Sequence, residues 1–249
     1  MSDMKPYDPL QFWNFLRFGP GNVTYACPGL KTLSVYCRGE RAQMERLLDP
    51  LPFELADDRF VVSIADFGNN SGRTYFDAAV ILPVRYGEHV GGTYYFEYED
   101  KHTTVAGGRE LWGYPKHFAR IELEETATGM RGKTSLYDDV MFEIAVDFDP
   151  SVSREAWADL RLFPHYQVRA VPEVNGPGFQ TFDIISRNTI KDYKLTERKV
   201  GRGRVSLGPT ISVGGERLRI AEVLGAEYTV GDFASTPENG VPTVVASLV

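Results

Sequence analysis

Apolar residues in this chain recur mostly with a period of two, and the β-branched and aromatic types dominate those runs. RFVVSIADF (59–67), AAVILPVRY (78–86), GTYYFEYED (92–100), MFEIAVDF (141–148), FQTFDIISR (179–187) and RVSLGPTISV (204–213) therefore predict strands. Residues 119–148 read as antiparallel strands joined by a turn at Thr128-Gly129. Helical signals occur in three places. Residues 8–18 have Asp8 as a cap and proline in the first turn; residues 40–49 place Met44, Leu47 and Leu48 on one face and stop before Pro50; residues 153–163 open on Ser153. So few helices cannot provide the crossovers of a parallel sheet. The pattern predicts a mostly β (α+β) protein, an antiparallel barrel or sandwich with peripheral helices.

Composition narrows the class. At 249 residues with 43% apolar content the chain can bury a substantial core, and no linker, repeat or low-complexity tract divides it, so 1–249 is expected to be one domain. The net charge of −7 is spread along the sequence and argues against nucleic acid as a partner. The one basic cluster, RKVGRGR (198–204), reads as a solvated hairpin tip, with anion binding as the alternative. The first residues carry no apolar signal region and no 18-residue apolar stretch occurs, so the expected location is cytoplasmic, away from membranes. Cys27 and Cys37 lack metal or redox spacing, and Cys37 reads as a small buried apolar residue. The four histidines, His89, His102, His117 and His165, lie far apart and predict no metal site. Phosphate-binding glycine loops and a GxSxG elbow are also missing.

Candidate chemistry gathers in GRELWGYPKHF (108–118). Pro115 fixes φ and biases Tyr114 toward extended geometry. Trp112, Tyr114 and Phe118 surround Lys116 with apolar bulk. Burial among them would lower the lysine pKa, and a shift of ~4 units, worth ~5 kcal/mol, would leave the amine mostly neutral. Taken alone, this stretch makes Lys116 a candidate amine nucleophile against the commoner reading of a solvated turn lysine after proline.

GRELWGYPK resembles the GRE…YPK signature that carries the Schiff-base lysine of the acetoacetate decarboxylase superfamily, with Lys116 at the nucleophile position. The likeness extends to TYFDAAVILPVRY (74–86), FPHYQVRAVPEVNG (163–176) and ERLRIAEVLGAEYTVGDF (216–233), in the family's order. It implies the barrel rather than the sandwich, with Lys116 inside it. It also implies a lysine imine that serves as the electron sink for a keto acid substrate without metal or organic cofactor, and a homo-oligomer. Asp77 stands where the family has glutamate, 39 residues before Lys116, and is a candidate for proton transfer or substrate orientation.

Departures from the acetoacetate-specific pattern are equally legible. His117 replaces a second lysine and is a candidate catalytic neighbour with a weaker, pH-dependent charge. An expected arginine falls at Leu30 and Lys31, and an expected glutamate near Val61 or Val62 is absent. Binding of the substrate would pass to Tyr114 and to Lys31, Arg73 or Arg109, the last of which also suits a loop brace. The reaction implied is decarboxylation of a 3-oxo acid; the alternatives are aldolase, dehydratase or hydratase chemistry on a 2-oxo acid through the same lysine, and a non-catalytic small-molecule-binding barrel.

Overall fold

The computed structural model of the chain describes residues 25–71, 74–209, 211–213 and 216–249, and the helix expected at 8–18 lies outside them. The strands in chain order are β1 (Tyr25–Gly39), β2 (Glu54–Leu55), β3 (Arg59–Asp66), β4 (Phe76–Tyr86), β5 (His89–Glu99), β6 (Lys116–Phe118), β7 (Arg120–Glu125) and β8 (Gly129–Leu136). They continue as β9 (Asp139–Phe148), β10 (His165–Pro172), β11 (Phe179–Arg187), β12 (Lys194–Leu207), β13 (Ser212–Val213), β14 (Glu216–Arg217), β15 (Ile220–Ser235) and β16 (Thr243–Ser247). The helices are α1 (Arg41–Leu48), α2 (His102–Trp112) and α3 (Pro237–Gly240). The mostly β, chiefly antiparallel expectation is met.

Alternation decides which residues share a face. Leu33, Val35 and Cys37 of β1, Phe60, Val62 and Ile64 of β3, and Ala78, Val80, Leu82 and Val84 of β4 point to one side. There they meet Phe142, Ile144 and Val146 of β9 and the α1 residues Met44, Leu47 and Leu48 to form the main core. The α1 stripe read from the sequence is the face that is buried. Cys37 lies in this core, and burial pushes its thiol up to about 12. The opposite face of β1, β3, β4, β5 and β15 lines a cavity.

The ladder runs β16-β11-β10-β5-β4-β3-β1-β15-β12-β9-β8-β7, with β2 on β4 and β6 on β5. It does not close into the expected barrel among the described residues. The sheet also branches at β5, which takes two parallel neighbours, β6 through Glu97–Lys116 and β10 through Gly92–His165. The chain end at β16 and the strand β7 remain the two edges. Two further expectations change. Residues 153–163 form hydrogen-bonded turns instead of a helix, with Trp157 N–H and Ala158 N–H on Arg154 O at 3.0 and 2.8 Å and Leu160 N–H on Trp157 O at 3.1 Å. Trp157 anchors the turn by stacking on Tyr36 (5.2 Å, 17°). RKVGRGR is not a hairpin tip but the middle of β12, held between β15 and β9.

A bulge sets the phase of β5. Val80 pairs with Phe96 but Ile81 pairs with Tyr94, leaving Tyr95 unpaired. One extra residue reverses which side chains face which side. Tyr94 and Glu97 consequently share the cavity, while Tyr98 turns to the main core.

Candidate functional site

Register brings four ionisable residues together. Asp77 of β4 pairs with Glu99 of β5, and Glu97 of β5 pairs with Lys116 of β6, so three adjacent strands present these side chains on one face. Lys116 Nζ lies 3.1 Å from Asp77 Oδ2 and 2.6 Å from Glu97 Oε1, and it also donates to Glu99 Oε1. The three carboxylates stand within 4.8 Å of one another, a donor set that would suit a cation, and the Lys116 ammonium is the cation they surround.

Helix α2 forms the wall behind the lysine. The sequence signals missed this helix because Gly107, Gly108 and two threonines depress its propensity. Gly108 is required by contact: a Cβ there would come within 2.1 Å of Lys116 Cδ and 2.2 Å of Cε. Gly113 ends the helix at φ +65°, with its N–H on Arg109 O at 3.1 Å. Arg109 Nη1 then donates to the Lys116 carbonyl at 3.1 Å, in keeping with a loop brace, the other role open to this residue, and it is not among the residues lining the cavity.

Other expected neighbours are redistributed. His117 follows Lys116 on a strand and therefore faces the other way, exposed, beside Tyr98 at 6.2 Å. It is not among the residues lining the cavity, so the candidate catalytic neighbour in sequence stands on the opposite face from the amine. Phe118 is 39% exposed, and Trp112 packs on Arg187, so of the three aromatics only Tyr114 lies over Lys116, 5.3 Å from ring centroid to Nζ. Lys31 is exposed and off the cavity, and Arg73 is not among the described residues.

The electrostatics overturn the expected lowering of the Lys116 pKa. Burial does pull it down, but the carboxylates of Glu97, Glu99 and Asp77 outweigh burial and hold the ammonium well above its ordinary value. Burial pushes the Glu97 carboxyl well up, opposed by Lys116 and reinforced by the charges of Asp77 and Glu99. Glu99 is raised for the same first reason, while Lys116 and Thr104 hold it back. Glu97, Glu99 and Lys116 therefore titrate as one coupled cluster. Glu97→Gln and Glu99→Gln each remove a charge that holds the ammonium, and each is expected to shift the pH profile of Lys116 reactivity toward acid by about one unit or more. Rates of borohydride trapping measured against pH check both; an alkaline shift in either variant contradicts the expectation.

Next to the cluster the cavity, about 290 Å³, contains groups the sequence reading passed over. Arg187, at the end of β11, is 8% exposed and donates to Asn239 O (3.3 Å) and Ser235 Oγ (3.4 Å). Its guanidinium also contacts the hydroxyls of Tyr25 and Tyr114. His165 Nδ1 and Tyr114 Oη are 3.0 Å apart, and His165 Nε2 has no partner among the described residues. Burial first, then the charges of Arg187 and Lys116, hold this imidazole well below its usual range, hence neutral. The second oxygens of Glu97 and Glu99 are likewise buried without a partner.

A sequence model of the acetoacetate decarboxylase family matches residues 16–241. Acetoacetate decarboxylase of Acidiphilium cryptum (strain JF-5) is 27% identical over 204 residues, covering 79% of this chain and 80% of that protein. Among solved structures, acetoacetate decarboxylase from Legionella pneumophila aligns with a TM-score of 0.76 at 18% identity, over 98% of this chain and 99% of that one. An acetoacetate decarboxylase-like enzyme from Sphingomonas wittichii RW1 aligns with a TM-score of 0.73 at 19% identity, over 92% and 97%. At these identities the structural matches establish a shared fold.

Proposed function

The chain belongs to the acetoacetate decarboxylase family and is a lyase, and from that premise we propose that Lys116 forms an imine with a keto acid and decarboxylates a 3-oxo acid. The observation that carries this reading is a buried lysine amine set among Asp77, Glu97 and Glu99 at the wall of a cavity. Three acids around one amine supply every proton the sequence of steps needs.

Attack requires a neutral amine, and the cluster can produce one internally. Passing a proton from Lys116 to Glu97 or Glu99, whose carboxyls burial already raises, gives a neutral amine and a neutral acid as the minor, reactive form of the cluster. The amine then adds to the keto carbon, and a carboxyl of the cluster protonates the departing hydroxyl, giving iminium and water. The bond to the substrate carboxylate breaks, its electron pair moves to the iminium nitrogen, and CO2 leaves behind an enamine. A carboxyl proton goes to the enamine carbon, and water releases the ketone. Asp77, 3.1 Å from Nζ, suits the role of proton store or orienting group. Arg187 is the buried cation placed to balance the substrate carboxylate, and the unpartnered His165 Nε2 suits a contact to a substrate oxygen.

The size of the cavity favours a second reading. At about 290 Å³ it reaches the lower end of drug-sized sites. That leaves room for a 2-oxo acid imine together with an aldehyde partner, as aldolase or dehydratase chemistry requires. A single domain, a cytoplasmic location and a homo-oligomeric state belong to the same proposal. Product analysis with a panel of 3-oxo and 2-oxo acids tests it: CO2 release from 3-oxo acids supports decarboxylation, a carbon–carbon adduct from a 2-oxo acid and an aldehyde supports the alternative, and no turnover of either class defeats both.

A further inference from the structure

The cavity has a far end that the imine chemistry does not use. Glu227 of β15 is 6% exposed, and both its oxygens are engaged. Tyr36 Oη donates to Oε1 at 2.7 Å, while Arg154 Nε and Arg198 Nε reach Oε2 at 3.0 and 3.2 Å. Burial above all, then the Glu227 charge, raises the Tyr36 hydroxyl well above its ordinary value, so it stays a neutral donor already spent on the carboxylate. Two arginines against one carboxylate leave one positive charge in excess. Arg198 lines the same cavity as Lys116, with its Nε 3.2 Å from Glu227 Oε2. A guanidinium has five N–H donors in a fixed fork, so its terminal nitrogens remain for a planar anion.

Strand register gives the separation of Glu227 from Asp77, which stands beside the amine. Asp77 pairs with Ala65, Ala65 with Thr32 and Thr32 with Thr229, while Glu227 pairs with Ser34, two residues further along. Three strand spacings and two residue rises amount to about 15 Å along the sheet. A four-carbon keto acid, three bonds long, spans about 4 Å, the length of one Cα–Cα step. It cannot touch both ends. Between them, by register, lie Ala65, Ser63, Thr32, Ser34 and Thr229 of the lining, short side chains that leave space for the body of a substrate.

We infer that the cavity is a two-ended site whose substrate is an extended keto acid carrying a second carboxylate, the far carboxylate being held by Arg198 beside Glu227. This rests on the proposed imine chemistry for the identity of the near end, and only there. Glu227 itself does not serve as a receptor for a cation, because its oxygens are taken. The RKVGRGR cluster, placed within β12, contributes to this end through its first residue.

Calorimetric titration with a series of straight-chain dicarboxylates, from hexanedioate to dodecanedioate, and with monocarboxylates of matching length tests the far end without any imine. At its best length the dicarboxylate should bind about tenfold tighter than the monocarboxylate, the scale of one charge-assisted contact. Arg198→Gln should remove that advantage, and Arg198→Lys should recover part of it. Equal binding of the two series by the unaltered protein overturns the inference, as does an undiminished advantage in Arg198→Gln. The comparison on the unaltered protein stands even if a variant fails to fold. Failure to trap any keto acid with borohydride would defeat the imine reading while leaving this contrast intact.

Discussion

Lys116→Ala is expected to abolish borohydride-trappable adducts with every keto acid and to lower turnover by roughly 10⁴-fold or more, the scale on which covalent nucleophiles act. The protein should nonetheless fold. Removing the amine leaves Asp77, Glu97 and Glu99 without their common cation, and buried carboxylates in that position protonate instead of staying charged. The variant should therefore lose stability mainly as pH rises, when the three acids must ionise beside one another without compensation. Intact mass after reduction, with thermal melts across pH, reads both effects. A persistent adduct in Lys116→Ala would move the nucleophile elsewhere.

Gly108→Ala is the second change expected to be large in function, and it should be small in stability. The added methyl would fall 2.1 Å from Lys116 Cδ, so the flexible lysine stem must move while the main chain need not. Alanine also favours a helix by about 1 kcal/mol over glycine, which offsets part of any strain. A displacement of about 1 Å of the reacting group is enough for a loss near 100-fold. Turnover and trapping rate should fall together with the melting temperature little changed. Retained turnover would show that the amine position has slack that the packing does not suggest.

Much of the fold could be read from alternation and turn chemistry. The strands at 59–66, 76–86, 139–148 and 179–187 and the helix at 41–48 lie where apolar spacing puts them. Lys116 and Asp77 were found through their motif and spacing, and both stand in one cluster. Glu97 and Glu99 were not found, although they sit in a run recognised as a strand. Spaced by two among aromatics, they read as the wet face of a half-buried strand. Whether that face is wet depends on the phase set at Tyr95, and no local propensity encodes it. Arg187, His165 and Arg198 come from β11, β10 and β12, so their meeting with Lys116 is a matter of tertiary packing. The lysine pKa was misjudged for the same reason: burial was foreseen from the aromatic neighbours, but the acids that outweigh it arrive from other strands. The branching of the open sheet rests on parallel pairings at β5 that sequence spacing does not express.

The helix behind Lys116 has one more consequence, in the slow opening motions of the native chain. α2 is eleven residues long, lacks a side-chain cap at Lys101 and has no acidic residue in its first turn. Its interior holds two consecutive glycines, each about 1 kcal/mol poorer than alanine. Such a segment opens locally at lower free energy than the strands around it. Each opening removes the wall at Gly108 and admits water to the amine, or to an imine once formed. The lifetime of the covalent intermediate is therefore tied to the breathing of this helix, and slowing of amide exchange across 102–113 upon imine formation is the signature by which that coupling would be seen.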